Sequence, residues 1–274
     1  MNLIDFRPGV ILSTLLKKPL PSVYSDNFIY SMLRKPRMQM WVIAAPKTGS
    51  TWLSAMLENY LGWESRQLTH SFDRREQEPS LRALAEAASI DRILWKHQHT
   101  RASESTLRLI RRASIWPIIQ TRDIHDSLVS CCDHFLNEST VWPMAYMDDA
   151  HWRLLNEASR LQFIVDMVAS WYFNFYAGWF ASELVRNKGA YVCRYENLKV
   201  DPCSELLRIC EHFGLPRSQS KAQAAVDRTA YQPTRLNKGI IGRGEKLSNA
   251  QKESLVRMRN YYPEIDFSAV GFPD

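Results

Sequence analysis

The chain has 274 residues, 45% hydrophobic and 23% charged, enough for one sizeable core and unlike a disordered or low-complexity segment. Its net charge of +6 favours anionic partners, yet the basic residues are scattered, with only pairs such as Lys17-Lys18, Arg74-Arg75 and Arg111-Arg112. Nucleic-acid binding needs a concentrated basic face, so the charge reads as a mild field around a small-anion pocket.

The five cysteines, Cys131, Cys132, Cys193, Cys203 and Cys210, show no CxxC spacing. That argues against a disulfide framework or structural zinc and suits a reducing cytosol. Val10 to Leu16 is broken by Ser13-Thr14 and closed by Lys17-Lys18-Pro19, and no stretch reaches the roughly 18 apolar residues that span a bilayer. A cytoplasmic protein with no membrane partner is expected.

Residues 1–38, with several prolines and basic residues, read as an irregular arm ahead of a domain covering 39–274. Met40 to Ala45 is a short apolar run ended by Pro46 and Gly49, as in a buried strand of a parallel sheet. From Thr51 the apolar positions (Trp52, Leu53, Met56, Leu57, Tyr60, Leu61) take helical spacing, and Gly62 is the expected stop. The same grammar continues with a strand at 90–96, a helix at 103–112, a strand at 114–121 and a helix at 124–135. Residues 138–158 lack a period and read as an excursion over the sheet. A helix over 161–185, a strand at 190–195 and helices at 202–213, 219–228 and 248–259 complete the chain. This alternation predicts a single α/β domain, its central parallel sheet covered by helices on both faces, with ligands at the carboxyl ends of the strands.

Pro46-Lys47-Thr48-Gly49-Ser50-Thr51-Trp52 falls at such an end. A glycine that lets backbone approach, unpaired N–H groups at a helix start, two hydroxyls and a lysine together suit a phosphate. The lysine precedes the only glycine, so this P-loop-like turn differs from the GxxxxGK[ST] loop of nucleoside triphosphate enzymes and disfavours their magnesium-dependent chemistry. Further on, Arg122 ends a strand and Ser130 follows inside the next helix. The two can converge on one anion, the arginine through its planar fork, although an Arg–Asp pair and an exposed serine would read identically.

Ala-Pro-Lys-Thr-Gly-Ser-Thr-Trp closely resembles the 5'-phosphosulfate loop of the sulfotransferases, Tyr-Pro-Lys-Ser-Gly-Thr-Thr-Trp. Arg122, Asp126, Val129 and Ser130 keep the spacing of that family's 3'-phosphate motif, and His134-Phe135 follow with one extra residue. The two motifs lie 75 residues apart and in the family's order. The resemblance implies a donor, 3'-phosphoadenosine 5'-phosphosulfate, and a product, adenosine 3',5'-bisphosphate. It gives Lys47, Thr48, Gly49, Ser50 and Thr51 the 5'-phosphate, Trp52 the adenine, and Arg122 and Ser130 the 3'-phosphate. Tyr195 in Arg-Tyr-Glu-Asn-Leu-Lys, and Thr229 with Tyr231 in Thr-Ala-Tyr, resemble segments bordering adenine. Asn237-Lys238-Gly239-Ile240-Ile241-Gly242 resembles the loop closing over the 3'-phosphate; Asn237 stands where the family has arginine, Lys238 and Gly239 remain, and Arg235 or Arg243 is a candidate replacement. The aromatic stripe Trp171, Phe175 and Trp179 lies in the matching helix, and its helical period reads as core packing.

The expected reaction is in-line sulfuryl transfer to a hydroxyl or amine of a small-molecule acceptor, without a metal. Its base is expected after the second strand, where the family has Lys-Thr-His and this chain has Lys96-His97-Gln98-His99. His99, 23 residues before Arg122, is preferred over His97, with a short bulge to restore its direction, and Lys96 joins Lys47 in offsetting charge on the leaving oxygen. A kinase and a non-catalytic nucleotide-binding protein remain as rival readings, and a homodimer stays open. Acceptor-side loops are expected at 1–38, 63–80 and 136–160, where Asp73, Glu76, Glu78, Asp148 and Asp149 would favour a cation and Trp142, Tyr146 and Trp152 a planar or apolar alcohol.

Overall fold

Strand β1 (Met38–Ala44) sets the layers, because its residues are buried on both faces. Met40 and Val42 point into one apolar cluster and Trp41 and Ile43 into another, as the twofold alternation of a strand requires. A strand buried on both faces belongs inside a parallel sheet with a layer on each side. The computed structural model describes residues 38–69, 78–138, 145–232 and 239–273. The expected arm at 1–38 therefore lies outside the described residues except for Met38.

Five parallel strands stand in the order β2-β3-β1-β4-β5, with β2 at Glu64–Arg66, β3 at Arg92–Gln98, β4 at Trp116–Thr121 and β5 at Tyr191–Arg194. On the Met40 face lie α1 (Ser50–Leu61), α10 (Pro202–His212) and α11 (Gln219–Ala230), packing Leu53, Met56, Leu57, Leu206, Ile209 and Ala222 onto the sheet. The Trp41 face is covered by α2 (Leu81–Glu86), α3 (Glu104–Ala113), α4 (Ile124–Asn137), α6 (Glu157–Met167), α7 (Ala169–Ala181) and α12 (Asn249–Arg259). Two short helices, α5 (Asp149–Leu154) and α8 (Glu183–Arg186), extend that layer, and α9 (Tyr195–Val200) follows β5 directly. The stripe Trp171, Phe175 and Trp179 is buried in the Trp41-face core, as its period predicts. Among the described residues no helix is long and apolar enough to cross a membrane.

The order of elements follows the predicted alternation, apart from two short helices with no predicted counterpart, α2 and α9, and three further departures. The helix expected over 161–185 is broken after Met167 and again at Ser182. There the serine hydroxyl donates to the Trp179 carbonyl and accepts from the Val185 amide, turning the chain into a new helix. The excursion at 138–158 contains α5, capped by Asp148. β2, three residues with no apolar side chain, pairs as an edge strand that the sequence pattern did not reveal.

Candidate active site

The carboxyl end of β1 turns into α1 through Ala45 to Gly49, and consecutive carbonyls along this turn are fixed by partners from five directions. The Ala44 carbonyl lies 2.8 Å from His99 Nδ1, and Ala45 accepts from Thr48 Oγ1 at 2.8 Å. Pro46 accepts from Tyr172 Oη at 2.7 Å, Lys47 from Arg122 Nη1 at 3.0 Å, and Thr48 from Gln120 Nε2 at 2.9 Å. Gly49 receives the Trp52 and Leu53 amides. With every carbonyl from 44 to 49 so committed, the amides of Lys47 to Thr51 meet no acceptor among the described residues. Lys47 and Gly49 both take the left-handed conformation, at φ 62° and 84°, which gathers successive N–H groups into a concave nest. Added to the positive end of the α1 dipole, that is an anion site built from backbone.

Gly49 is required for space as well as conformation. A Cβ there would come within 2.7 Å of Tyr195 Cδ2, because the Tyr195 ring packs beneath the turn. Tyr195 is itself buried, with Trp52 edge-on at 6.4 Å and Arg122 over its face at 4.5 Å. Trp52 is half-buried, with Lys199 Nζ 5.8 Å from its ring.

Arg122 joins the two phosphate segments named from the sequence. Only 5% exposed, it gives Nη1 to the Lys47 carbonyl and Nη2 to the Ile240 carbonyl, each at 3.0 Å, and lies 3.7 Å from Asp126. Asp126 in turn accepts the Gly242 amide at 2.9 Å and the Gly244 amide at 2.8 Å. The Arg-x-x-x-Asp spacing thus clamps the closing loop to α4, while three of the five guanidinium N–H groups stay off the carbonyls. Ser130 lies buried two turns along α4. Of the arginines considered for the Asn237 position, Arg243 is committed to Asp133 at 2.5 Å. Arg235, Asn237 and Lys238 lie outside the described residues. Gly239 adjoins that anchored loop, at φ 62°.

At the end of β3 the register supplies the expected bulge. Trp41 pairs with Trp95 but Ile43 with Gln98, so three steps on β3 oppose two on β1. Gln98 is turned inward on the Trp41 face, buried, with neither amide atom hydrogen-bonded. A carbonyl can only accept, so the 2.8 Å contact to Ala44 puts the hydrogen of His99 on Nδ1 and makes Nε2 its basic nitrogen. His97 Nδ1 lies 3.4 Å from Ser54 Oγ, and the two imidazoles are 6.1 Å apart. Lys96 is not brought to the loop: its ammonium lies 3.3 Å from Glu58, about two turns along α1 from Ser50.

Thr229 is buried, donating to the Ala225 carbonyl and accepting from Asn59 Nδ2, whereas Tyr231 is 90% exposed at the end of α11. Among the acceptor-side residues, Asp148 caps α5, Asp149 pairs with Arg153 at 3.0 Å, and Trp152 is fully buried between Phe135 and Phe163. Tyr146 and Glu78 are exposed, and Asp73, Glu76 and Trp142 lie outside the described residues. The sequence did not single out Gln120 or Tyr172 as holding the turn, or Glu138, whose Oε1 lies 3.5 Å from Lys47 Nζ. The serine-threonine turn and the α1 start were legible; partners arriving from β4, α7 and the end of α4 carry no signal at the turn itself.

An anion nest at the carboxyl edge of a parallel sheet, clamped by an arginine from the neighbouring strand, defines a phosphate-group-handling α/β protein. The sulfotransferase domain profile matches residues 37–253, and the chain belongs to that family, which sets the kinase reading aside. No curated protein is significantly similar in sequence. Among solved structures, a mouse sulfotransferase, SULT7A1, complexed with PAP is similar at 15% identity and a TM-score of 0.63, covering 89% of this chain and 92% of that one. Retinol dehydratase in complex with androsterone and inactive cofactor PAP follows at 12% identity and 0.57, covering 86% and 83%. An Arabidopsis thaliana putative steroid sulphotransferase has 14% identity and a TM-score of 0.51, covering 87% and 80%. At these identities the likeness is one of fold.

Proposed function

We propose that the chain transfers a sulfuryl group from 3'-phosphoadenosine 5'-phosphosulfate to a hydroxyl or amine of a small-molecule acceptor. The observation that carries this reading is the row of committed carbonyls from Ala44 to Gly49, which leaves the amides of Lys47 to Thr51 for a phosphate. PAP in the mouse enzyme, and PAP with androsterone in retinol dehydratase, support the same choice of donor and acceptor class. The residues present fit that donor: a backbone nest and two hydroxyls for one phosphate, and a buried guanidinium with spare donors for the other.

When bound, the phosphosulfate supplies the sulfuryl group and a phosphate oxygen that leaves with negative charge. The amides of Lys47 to Thr51, with the Ser50 and Thr51 hydroxyls, hold the 5'-phosphate while the Thr48 hydroxyl stays on the Ala45 carbonyl, and Lys47 Nζ offsets the developing charge. Arg122 and Ser130 hold the 3'-phosphate, with Gly239 in the segment that adjoins it. Trp52, Tyr195, Thr229 and Tyr231 border the adenine, with Tyr195 supporting the site from beneath. His99 Nε2 takes the acceptor's proton while its Nδ1–H stays on Ala44, which fixes the ring. Lys96 would have to leave Glu58 to assist, so Lys47 carries that role first.

Calorimetry with adenosine 3',5'-bisphosphate, and mass spectrometry of products from phosphosulfate with a panel of alcohols and amines, test the reading. The wild type is expected to bind the nucleotide, with binding by His99→Ala within about twofold and turnover down about 10²–10⁴-fold. A wild type with no affinity for the nucleotide defeats the assignment. Unchanged turnover by His99→Ala, with loss in His97→Ala, moves the base to His97.

A further inference from the structure

Lys47, assigned above to the leaving oxygen, is paired with a carboxylate. Its side chain, 11% exposed, reaches across to the end of α4, where Glu138 Oε1 lies 3.5 Å from Nζ. The other carboxylate oxygen, Oε2, lies 3.0 Å from His134 Nδ1. Its backbone is fixed as well, since the Glu138 amide closes α4 on the His134 carbonyl at 2.8 Å. Burial pushes the Glu138 carboxyl up, but the charge of Lys47 and the contact with His134 outweigh it and hold the group below the usual carboxylate range. Lys47 has little freedom at its root either. Its backbone is left-handed at φ 62°, and its carbonyl is tied to Arg122.

We infer that Glu138 is a latch on Lys47: a positioning carboxylate that pairs with the ammonium and that the donor's anionic groups must displace from it. The inference rests on the donor reading above. A carboxylate beside an anion nest has two effects on such a ligand. It competes for the Lys47 ammonium, and it repels the incoming charge. Both disfavour the bound state, so both hasten departure of the doubly phosphorylated product. The latch therefore trades affinity for release.

Glu138→Gln tests it, because the amide keeps the shape and the helix end while removing the charge. Adenosine 3',5'-bisphosphate is expected to bind about three- to tenfold more tightly, the scale of a partly exposed charge pair plus the lost repulsion. In steady-state assays with phosphosulfate, KM for the donor and kcat should fall together as product release slows. A purely structural glutamate would instead lower the melting temperature and weaken binding. Glu138→Asp, which keeps the charge on a shorter arm, is expected to stay closer to wild type than Glu138→Gln in both readouts. Equal or weaker nucleotide binding by Glu138→Gln, with the wild type binding normally, overturns the latch alone. A wild type that binds no nucleotide overturns the latch together with the donor reading beneath it.

Discussion

Arg122 is the residue whose loss the structure allows to be worked through most fully. Its guanidinium donates to the Lys47 and Ile240 carbonyls, stands over Tyr195 and faces Asp126, at 5% exposure. In Arg122→Ala both carbonyls lose a charged donor, and the Asp126 carboxylate loses its cation. Asp126 keeps the Gly242 and Gly244 amides, so it is not left bare. The cost should accordingly sit at about 3 to 5 kcal/mol, the range for breaking one side of a buried pair. For a chain of this size that lowers the melting midpoint by about 6–20 °C. Calorimetry at a temperature where the variant remains folded should show binding of adenosine 3',5'-bisphosphate weakened by at least about a hundredfold, about 2.8 kcal/mol, because a charge-assisted phosphate contact disappears and the nest loosens as well. Arg82→Ala is the control. It removes the same formal charge from an exposed pair with Glu86 at 2.8 Å and should change stability by less than about 1 kcal/mol. An Arg122→Ala protein that melts and binds like Arg82→Ala would refute the claim that Arg122 ties the two turns together.

Gly49→Ala should cost about 2–5 kcal/mol, combining about 1–2 for an alanine in the left-handed region with an overpacking term against Tyr195. The loss measured by chemical denaturation should shrink in a Tyr195→Leu background, and strict additivity would count against the packing argument. Asp123 is held below its ordinary value: burial pushes it up, but His125 and the His125 and Asp126 amides outweigh that. A lowered folded-state value means its stabilisation is present above the ordinary carboxylate range and is lost as the pH falls through the folded value. Measured from about pH 5 downward, the gap in melting midpoint between wild type and Asp123→Asn should narrow below about pH 4. A gap that widens toward acid would contradict the sign.

The layers of the fold were open to reading from one strand upward. Met40 to Ala45 carries an unbroken apolar run because β1 is buried on both faces, and Gly62 ends α1 in the left-handed conformation its position suggested, at φ 64°. Pro202 likewise sits in the first turn of α10, capped by Asp201. What escaped was short or interrupted by a competing local bond. β2 has no apolar residue to betray it, and the Ser182 turn depends on a hydroxyl capturing a carbonyl without disturbing the apolar period around it. α5 buries a single residue, Trp152, so it had a cap but no stripe.

The site divides along a different line. Residue types at the ligand end were readable, since lysine, glycine, hydroxyls and arginine have few reasons to recur in that order. The bulge at Lys96-His97 was readable in outline too, as a mismatch in spacing that needed one extra residue. The mechanics behind the nest were not, and the reason is physical. A nest works only if its carbonyls are turned away and kept away, and carbonyls have no letter in a sequence. The keepers of the Pro46, Lys47 and Thr48 carbonyls, Tyr172, Arg122 and Gln120, come from α7 and from β4 with the residue that follows it, and two of the three read in isolation as ordinary core residues. Arg122 shows how far this misleads: a sequence motif can mark it as a phosphate ligand, yet the same side chain holds both turns to the sheet through their carbonyls. Its substitution should therefore never separate binding from stability, whereas substitution of His99 or Glu138 should. That contrast distinguishes an arginine that builds the site from residues that act within it.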